Sequence, residues 1–139
     1  MTTKRARIIP TGSELRILNA LWDLGQGTVE DVTKHRTFSH RPNYKTTQTL
    51  LRIMEQKGLV RHLVRGRGFL FEPCVSREQV GKVSVQRLLE QNFGGSPAEL
   101  LVNLLETRSV AEAELEELES LIRKYRMQKR DSDGTSRPQ

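Results

Sequence analysis

Apolar residues in the first part of the chain recur every three or four positions, which is the spacing of one helix face. A capping box at Thr11–Glu14 (TGSE) begins the first helical segment, and Gly25 supplies its stop. A shorter segment starts at Thr28 in the same way, and a third runs from about Tyr44 to Gly58. The apolar positions of the first and third segments are Leu15, Leu18, Leu21 and Trp22, and Thr47, Leu50, Leu51 and Met54. Between the last two segments, the stretch RTFSHRPN has no period and predicts a loop.

After the third segment, the apolar period changes from that of a helix to that of a strand. Residues 59–65 and 69–72 flank a tight turn at Gly66–Gly68, which predicts a β-hairpin. Phe69 and Phe71 share one face of the second strand, and we expect both in a small core. Three helices alone fit many folds, but three helices followed by a hairpin with arginines at its tip predict a winged helix-turn-helix.

The rest of the chain is predicted to be helical, with helices starting near Ser76, Ser96 and Ser109. Each of these helices carries a stripe of leucines, and a monomer of this size cannot bury all of them. Burying one such side chain stabilises a protein by about 1.5–3 kcal/mol, so we expect the stripes to pair two copies of the chain. The residues expected in this dimer interface are Leu88, Leu101, Leu104, Leu105, Leu115, Leu118, Leu121, Ile122 and Tyr125. The alternative is that these helices fold back onto the first domain.

Charge is distributed unevenly along the chain, whose formal net charge is +6. Residues 1–75 contain 13 Lys and Arg against 6 Asp and Glu, whereas residues 76–128 contain 7 against 9. The basic excess therefore lies in the first part, where we expect an anionic partner to dock.

The third predicted helix carries side chains of the kind that read bases in a major groove. Gln pairs with adenine through two hydrogen bonds, and Thr contacts a base or the thymine methyl group. We expect cations near this helix to contact the DNA backbone, and those at the hairpin tip to contact the backbone or the minor groove beside it. Lys4, Arg5 and Arg7 are expected to add a contact from the chain start. The predicted DNA-binding residues are Lys45, Thr46, Gln48, Thr49, Arg52, Arg65 and Arg67. The alternative is an ordinary solvated helix face, which the hairpin and the uneven charge disfavour.

The predicted fold class is mainly α with a small β-hairpin: an N-terminal winged helix-turn-helix followed by a C-terminal helical dimerisation region. The expected divisions are a basic arm at 1–9, a winged-helix DNA-binding domain at 10–75, a helical dimerisation region at 76–128 and a disordered tail at 129–139. The tail is expected because its polar composition offers no apolar surface to bury.

The sequence excludes several classes of protein and site. Apolar runs do not exceed three residues, so we expect no membrane insertion, and no apolar stretch follows the basic start as in a secretory signal. A single cysteine, Cys74, forms neither an internal disulfide nor a multi-cysteine metal site. The histidines His35, His40 and His62 lie in separate segments, so we predict no metal and no cofactor. No nucleophile stands with a base at a catalytic spacing, so we expect a cytoplasmic protein that is not an enzyme.

Six stretches of the chain carry a resemblance to a known family. They are TGSELRILNALW (11–22), GTVEDV (27–32), YKTTQTLLRIMEQKGLV (44–60), VSREQ (75–79), NFGGS (92–96) and LEELESL (115–121). The Tyr-x-Thr-x-x-Thr start of the third helix, the later Lys-Gly-Leu-Val and the Phe-Gly-Gly-Ser break are fairly specific in combination. Together they resemble the penicillinase-repressor family of bacterial transcription repressors, the BlaI/MecI type.

The resemblance implies a homodimer that binds a palindromic operator of double-stranded DNA and represses the genes behind it. Carried over position by position, it assigns the recognition helix to Lys45, Thr46, Gln48 and Thr49, and the wing to Arg65–Arg67. The chain departs from the family at Thr47, where relatives usually have an aliphatic residue, and at Gln48, which is often basic in relatives. The loop RTFSHRPN has no clear counterpart, so we expect the operator sequence and the approach of the helix to differ.

Members of this family are commonly inactivated by a membrane sensor-peptidase that cuts between an Asn and an apolar residue in the dimerisation region. Asn103-Leu104 lies at the corresponding place, so the resemblance implies cleavage there. A cut within a dimerising helix would sever its leucine stripe and leave weak single-site binders. The alternative is that Asn103 is an exposed polar residue and Leu104 a core residue. Copper-responsive relatives carry paired Cys-x-Cys motifs, which this sequence lacks.

Two other interpretations stay open. One is a winged-helix regulator gated by an effector in a pocket between the domains, although no cluster of aromatic and polar residues in the sequence marks such a pocket. The other is a protein-interaction adaptor that uses the leucine-rich helices and does not bind DNA.

Overall fold

Within residues 8–136, which the computed structural model describes, helices and a two-stranded sheet follow the predicted order. They are α1 (Gly12–Leu24), α2 (Val29–Thr33), α3 (Tyr44–Lys57), β1 (Val60–Arg65), β2 (Gly68–Pro73), α4 (Arg77–Asn92), α5 (Pro97–Thr107) and α6 (Glu112–Ser136). The antiparallel pair β1–β2 and the helices before it form a winged helix-turn-helix, which confirms the predicted fold class. The chain divides after Asn92 into two compact units.

Side chains and a glycine set the ends of the helices where their spacing predicts. The Thr11 hydroxyl accepts a hydrogen bond from the Glu14 amide (3.2 Å), and the Glu14 carboxylate accepts one from the Thr11 amide (2.9 Å). α3 begins after Asn43, whose side chain accepts a hydrogen bond from the Lys45 amide at 2.8 Å. It ends at Gly58, where φ is +83°. The hydrogen bond to Asn43 fixes the first turn of α3 at the end of the preceding loop.

The core of the first unit is built from α1, α2, α3, the hairpin and the start of α4. Its buried apolar residues are Ile17, Leu18, Ala20, Leu21, Val29, Val32, Leu51, Met54, Leu59, Val60, Phe71, Val75 and Val80. One predicted position is wrong: Leu15 is 37% exposed, whereas its neighbour Glu14 is 1% exposed. The buried face of α1 includes Glu14 because the Lys57 ammonium reaches both of its carboxylate oxygens, at 2.8 and 3.0 Å.

The Glu14 carboxylate keeps its charge despite its burial. Burial raises the pKa of the Glu14 carboxyl, but hydrogen bonds from Lys57 and Thr11, together with the charge of Lys57, hold this pKa below its ordinary value of 4.5. The charged pair therefore stabilises the fold above about pH 4.5, and this stabilisation is lost as the pH falls through the lowered pKa.

Replacing Lys57 with Met should lower the free energy of unfolding at neutral pH by about 2–3 kcal/mol, because a buried carboxylate loses its partner. The deficit should shrink below pH 4.5, where protonated Glu14 no longer needs the ammonium. Urea unfolding of both proteins between about pH 3 and 7 measures this difference. Lys34→Met is the control: it breaks the exposed Lys34–Glu30 pair (3.0 Å) and should cost under about 0.5 kcal/mol. A Lys57→Met deficit independent of pH would contradict the prediction.

The register of the hairpin places its two predicted core phenylalanines in different surroundings. Phe71 forms two hydrogen bonds with Gly27, at 2.8 and 2.9 Å, and is buried against the helices. Phe69 lies opposite Val64 and is 51% exposed, so its predicted place in the core is wrong. The hairpin joins the rest of the unit at Phe71 and continues beyond it, which leaves Phe69 nearer the tip. The Phe69 ring instead lies against that of His62, with 4.5 Å between the centroids.

The first unit continues past residue 75, where the sequence predicts the end of the winged-helix domain. Val75 and Val80 are buried in its core, and the Trp22 indole donates a hydrogen bond to the Val75 carbonyl at 2.9 Å. The Arg77 guanidinium lies 5.3 Å from the centre of the Trp22 ring. The end of the compact unit is therefore corrected to Asn92, because α4 supplies side chains that close the core.

α5 and α6 form the second unit and expose much of their apolar surface. Leu115 and Leu118 are half-buried. The exposed members of the predicted stripe are Leu101, Leu104, Leu105, Leu121, Ile122 and Tyr125 in this unit, and Leu88 on α4 in the first. None of the described helices is both long and apolar enough to cross a bilayer.

α6 continues to Ser136, so the predicted disordered tail is wrong for residues 129–136. Extending an existing helix costs much less than starting one, and a polar segment can therefore continue a helix that it would not begin. Residues 137–139 of that prediction lie outside the described part of the chain.

Candidate nucleic-acid interface

α3 is buried on one face and presents its predicted DNA-binding side chains on the other. Thr47, Leu51 and Met54 are buried in the core. The exposed side chains are Lys45, Thr46, Gln48, Thr49 and Arg52. The amino end of the helix therefore offers a continuous polar surface to a partner, on an element that the core holds rigidly.

Thr47 is a polar residue at the buried position where relatives usually carry an aliphatic one. Its hydroxyl donates a hydrogen bond to the Asn43 carbonyl at 3.2 Å. A buried hydroxyl is costly only when it has no partner, so this bond makes the departure compatible with the core.

The tip of the hairpin projects two arginines with no carboxylate partner among the described residues. Arg65 and Arg67 are exposed on either side of Gly66, whose φ of +61° lets the chain turn tightly. Arg61, further along β1, instead forms an ion pair with Glu72 across the hairpin. The two tip arginines are therefore the hairpin cations that are free to meet an anion.

Hydrogen bonds between His62 and Glu55 join the hairpin to α3. His62 Nδ1 lies 2.8 and 2.6 Å from the two carboxylate oxygens of Glu55, and the His62 amide donates a hydrogen bond to the same carboxylate at 3.1 Å. These contacts hold β1 beside the carboxyl-terminal half of α3.

A groove of about 530 Å³ lies between α3 and the hairpin. Gln48 and Arg52 line it from α3, and Arg67 lines it from the hairpin, so the structure brings predicted helix and wing residues together. Tyr44 and Phe69 line the same groove, and neither was predicted as a site residue. These side chains are distant in sequence and meet only once the hairpin folds, so no local pattern in the sequence reveals this groove.

The other predicted site residues lie elsewhere. Lys4, Arg5 and Arg7 are outside the described residues. Asn103 and Leu104 are exposed within α5, where the Asn103 side-chain amide donates a hydrogen bond to the Glu99 carbonyl at 3.1 Å. Leu104 is thus not a core residue of the chain. Over residues 8–136, no group of three or more His, Cys, Asp or Glu side chains is placed to hold a metal ion.

Comparison with known proteins bears on what this surface does. The family model described as penicillinase repressor matches residues 10–124. The chain belongs to the penicillinase repressor family. A curated relative, the penicillinase repressor of Bacillus licheniformis, is 23% identical over 119 residues, which cover 86% of this chain and 93% of the relative. The family indicated by the six motifs is therefore confirmed.

Two solved structures illustrate the structural similarity of this chain to other proteins. The monomeric form of Bacillus licheniformis BlaI, in complex with the blaP half-operator, is 23% identical with a TM-score of 0.45, and the match covers 52% of this chain and 89% of that one. A mutant of MarR from E. coli is 18% identical with a TM-score of 0.45, and the match covers 84% of this chain and 77% of that one.

Proposed function

We propose that this protein is a sequence-specific transcriptional repressor that binds a palindromic DNA operator as a homodimer. The observation that carries the proposal is the convergence of Gln48, Arg52 and Arg67 on one groove, in a member of the penicillinase repressor family. Its curated relative is named a penicillinase repressor, which supports repression rather than catalysis. In this proposal the protein acts on DNA in the cytoplasm.

In this proposal, α3 lies in the major groove and reads bases from its amino end. Thr46, Gln48 and Thr49 are exposed there and reach base edges, and Lys45 contacts a phosphate beside them. Arg52, one turn further along, and the arginines of the hairpin tip contact the DNA backbone on either side of the groove.

The second unit supplies the dimer interface in this proposal. The leucine stripe of α5 and α6 is exposed in the single chain, and a second copy of the chain would cover it. A twofold dimer presents two α3 helices, whose half-sites we expect about 34–36 Å apart, one turn of DNA.

Replacing Gln48 with Ala should cost about 1–3 kcal/mol at each half-site and relax the preference for one base pair, because Gln reads a base edge. Lys45→Ala should weaken binding to all sequences alike, because a phosphate contact carries no sequence information. Fluorescence anisotropy against a palindromic operator selected from random DNA, and against its single-base variants, measures both effects. If Gln48→Ala weakened every sequence equally, the base-reading role of Gln48 would be wrong.

We further propose that repression ends when a membrane sensor-peptidase cuts between Asn103 and Leu104. A cut there separates Leu100 and Leu101 from Leu104 and the rest of the stripe, so the dimer loses apolar surface. In induced cells that contain the peptidase, Asn103→Ala protein should stay intact and on its operator. Asn92→Ala, which changes an asparagine outside α5, should be cleaved like the wild type. Immunoblots and reporter expression measure the two outcomes, and release of uncut wild-type protein would contradict the proposal.

A further inference from the structure

The groove between α3 and the hairpin has an aromatic lining that contact with DNA does not explain. Tyr44 and Phe69 are about half exposed, and the His62 ring centroid lies 4.5 Å from that of Phe69 and 6.0 Å from that of Phe71. All four side chains line the groove. Its volume of about 530 Å³ falls within the roughly 300–1,000 Å³ of sites that bind small organic molecules. An aromatic wall of this kind accommodates a flat ring.

Two guanidinium groups that line the groove have no carboxylate partner among the described residues. Both carboxylates that line it already have partners: Glu30 forms ion pairs with Lys34 (3.0 Å) and Arg41 (3.8 Å), and Glu55 is hydrogen-bonded to His62 (2.6 Å). In the part of the chain that the structure describes, Arg52 and Arg67 line the groove without an ion-pair partner. A guanidinium binds a carboxylate through two parallel hydrogen bonds, so the groove favours an anionic ligand.

We propose that this groove binds a small aromatic carboxylate. The ring lies against Tyr44 and Phe69, and the carboxylate pairs with Arg52 and Arg67. A neutral aromatic molecule would leave the guanidinium groups without an anion, and a bare inorganic anion would leave the aromatic wall in water. Both parts of the ligand are therefore needed for binding.

A ligand in this groove covers Gln48, Arg52 and Arg67, three residues that the proposed function assigns to DNA, and this step rests on that function. Ligand and operator compete for the same guanidinium groups. The ligand therefore lowers the affinity for the operator, and the operator lowers the affinity for the ligand by the same factor. The ligand acts as an inducer that needs no proteolysis.

Binding is tested first without DNA, by NMR titration of the isotopically labelled full-length protein with 1-naphthoate. We expect saturable shifts of amides around the groove, including those of His62 and Gly68. Two compounds separate the ring from the charge: 1-naphthamide has the ring without the charge, and inorganic phosphate has a charge without the ring. Each should bind at least about tenfold more weakly than 1-naphthoate.

Variants assign the binding to the groove. Arg67→Ala and Phe69→Ala should each weaken naphthoate binding about tenfold. Arg65→Ala is the matched control, because it removes the other arginine of the hairpin tip, which does not line the groove, and it should leave the affinity unchanged. The amide spectra of the variants report whether each one folds.

The other outcomes overturn the proposal. Equal binding of naphthoate and phosphate would make the groove a phosphate site, and equal binding of naphthoate and naphthamide would make it a neutral one. Shifts outside the groove, or no shifts at millimolar ligand, would also overturn it.

A second experiment tests the competition with DNA. Naphthoate should release operator DNA from the wild type and not from Phe69→Ala, and binding without release would overturn the competition. Naphthoate binding by a protein that binds no operator would count against the proposed function alone.

Discussion

Raising the salt concentration from 50 to 200 mM should weaken operator binding by about 10³–10⁵, because bound cations release counterions from the DNA and added salt opposes this release. The cations that α3 and the hairpin tip expose are Lys45, Arg52, Arg65 and Arg67. A homodimer carries these four cations twice. If each contacts one phosphate, the eight contacts lie within the roughly 6–10 for which such a loss is expected. Fluorescence anisotropy at several salt concentrations measures the slope of log affinity against log salt.

Two hairpin arginines provide a matched comparison for this prediction. Arg67→Ala should make the salt slope of the dimer shallower by about 2, roughly 1 for each lost phosphate contact. Arg61→Ala should leave the slope unchanged, because Arg61 is paired with Glu72 across the hairpin. A wild-type affinity that did not change with salt would refute the phosphate contacts of all these cations.

Replacing Ile122 with Glu should reduce the affinity for the palindromic operator by about 10²–10⁴, the gain that linking two binding modules provides. Ile122 is 48% exposed on α6, in the same stripe as Leu118 and Tyr125. A dimer of the variant would have to bury one unpaired carboxylate from each copy, which is costly. The affinity for a single half-site should not change, because α3 and the hairpin are untouched. Sedimentation velocity and anisotropy with whole and half operators measure the two effects.

Lys124→Gln is the matched control for this substitution. It changes the charge of α6 by the same single unit as Ile122→Glu, at a position about 200° around the helix from Ile122. We expect a dimer with normal operator affinity. If Ile122→Glu protein remained a dimer, the interface would not include this stripe, and if both variants dissociated, the cause would be charge rather than position.

The helix ends and the polar face of α3 were predictable because they depend on residues close in sequence. The capping box at Thr11 joins residues three positions apart, and Gly58 ends α3 through its own backbone conformation. The exposure of Gln48 and Arg52 follows from the helical period once Leu51 and Met54 are buried. No long-range contact is needed for any of these inferences.

Three errors of the sequence analysis have a common cause, which is contact between residues far apart in the chain. Leu15 was predicted on the apolar face of the first helix, but Glu14 is buried on that face instead, where the ammonium of Lys57 stabilises its carboxylate. Phe69 has the same alternation as Phe71, but the hydrogen bonds with Gly27 are made at Phe71. α4 belongs to the first unit because its Val80, with Val75 just before the helix, closes the core of that unit, which the composition of α4 does not reveal.

The sequence alone predicted the class of the protein, which is a winged helix-turn-helix. It also predicted the polar face of the third helix, the arginines at the hairpin tip and the leucine-rich helices that follow the hairpin. These features are encoded in periods and caps that act over a few residues. The tertiary structure alone decided that Gln48, Arg52 and Arg67 share one groove with Tyr44 and Phe69. The physical reason is that the Glu55–His62 pair and the Gly27–Phe71 bridge hold the hairpin against the helices. Such contacts leave no periodic pattern in the chain.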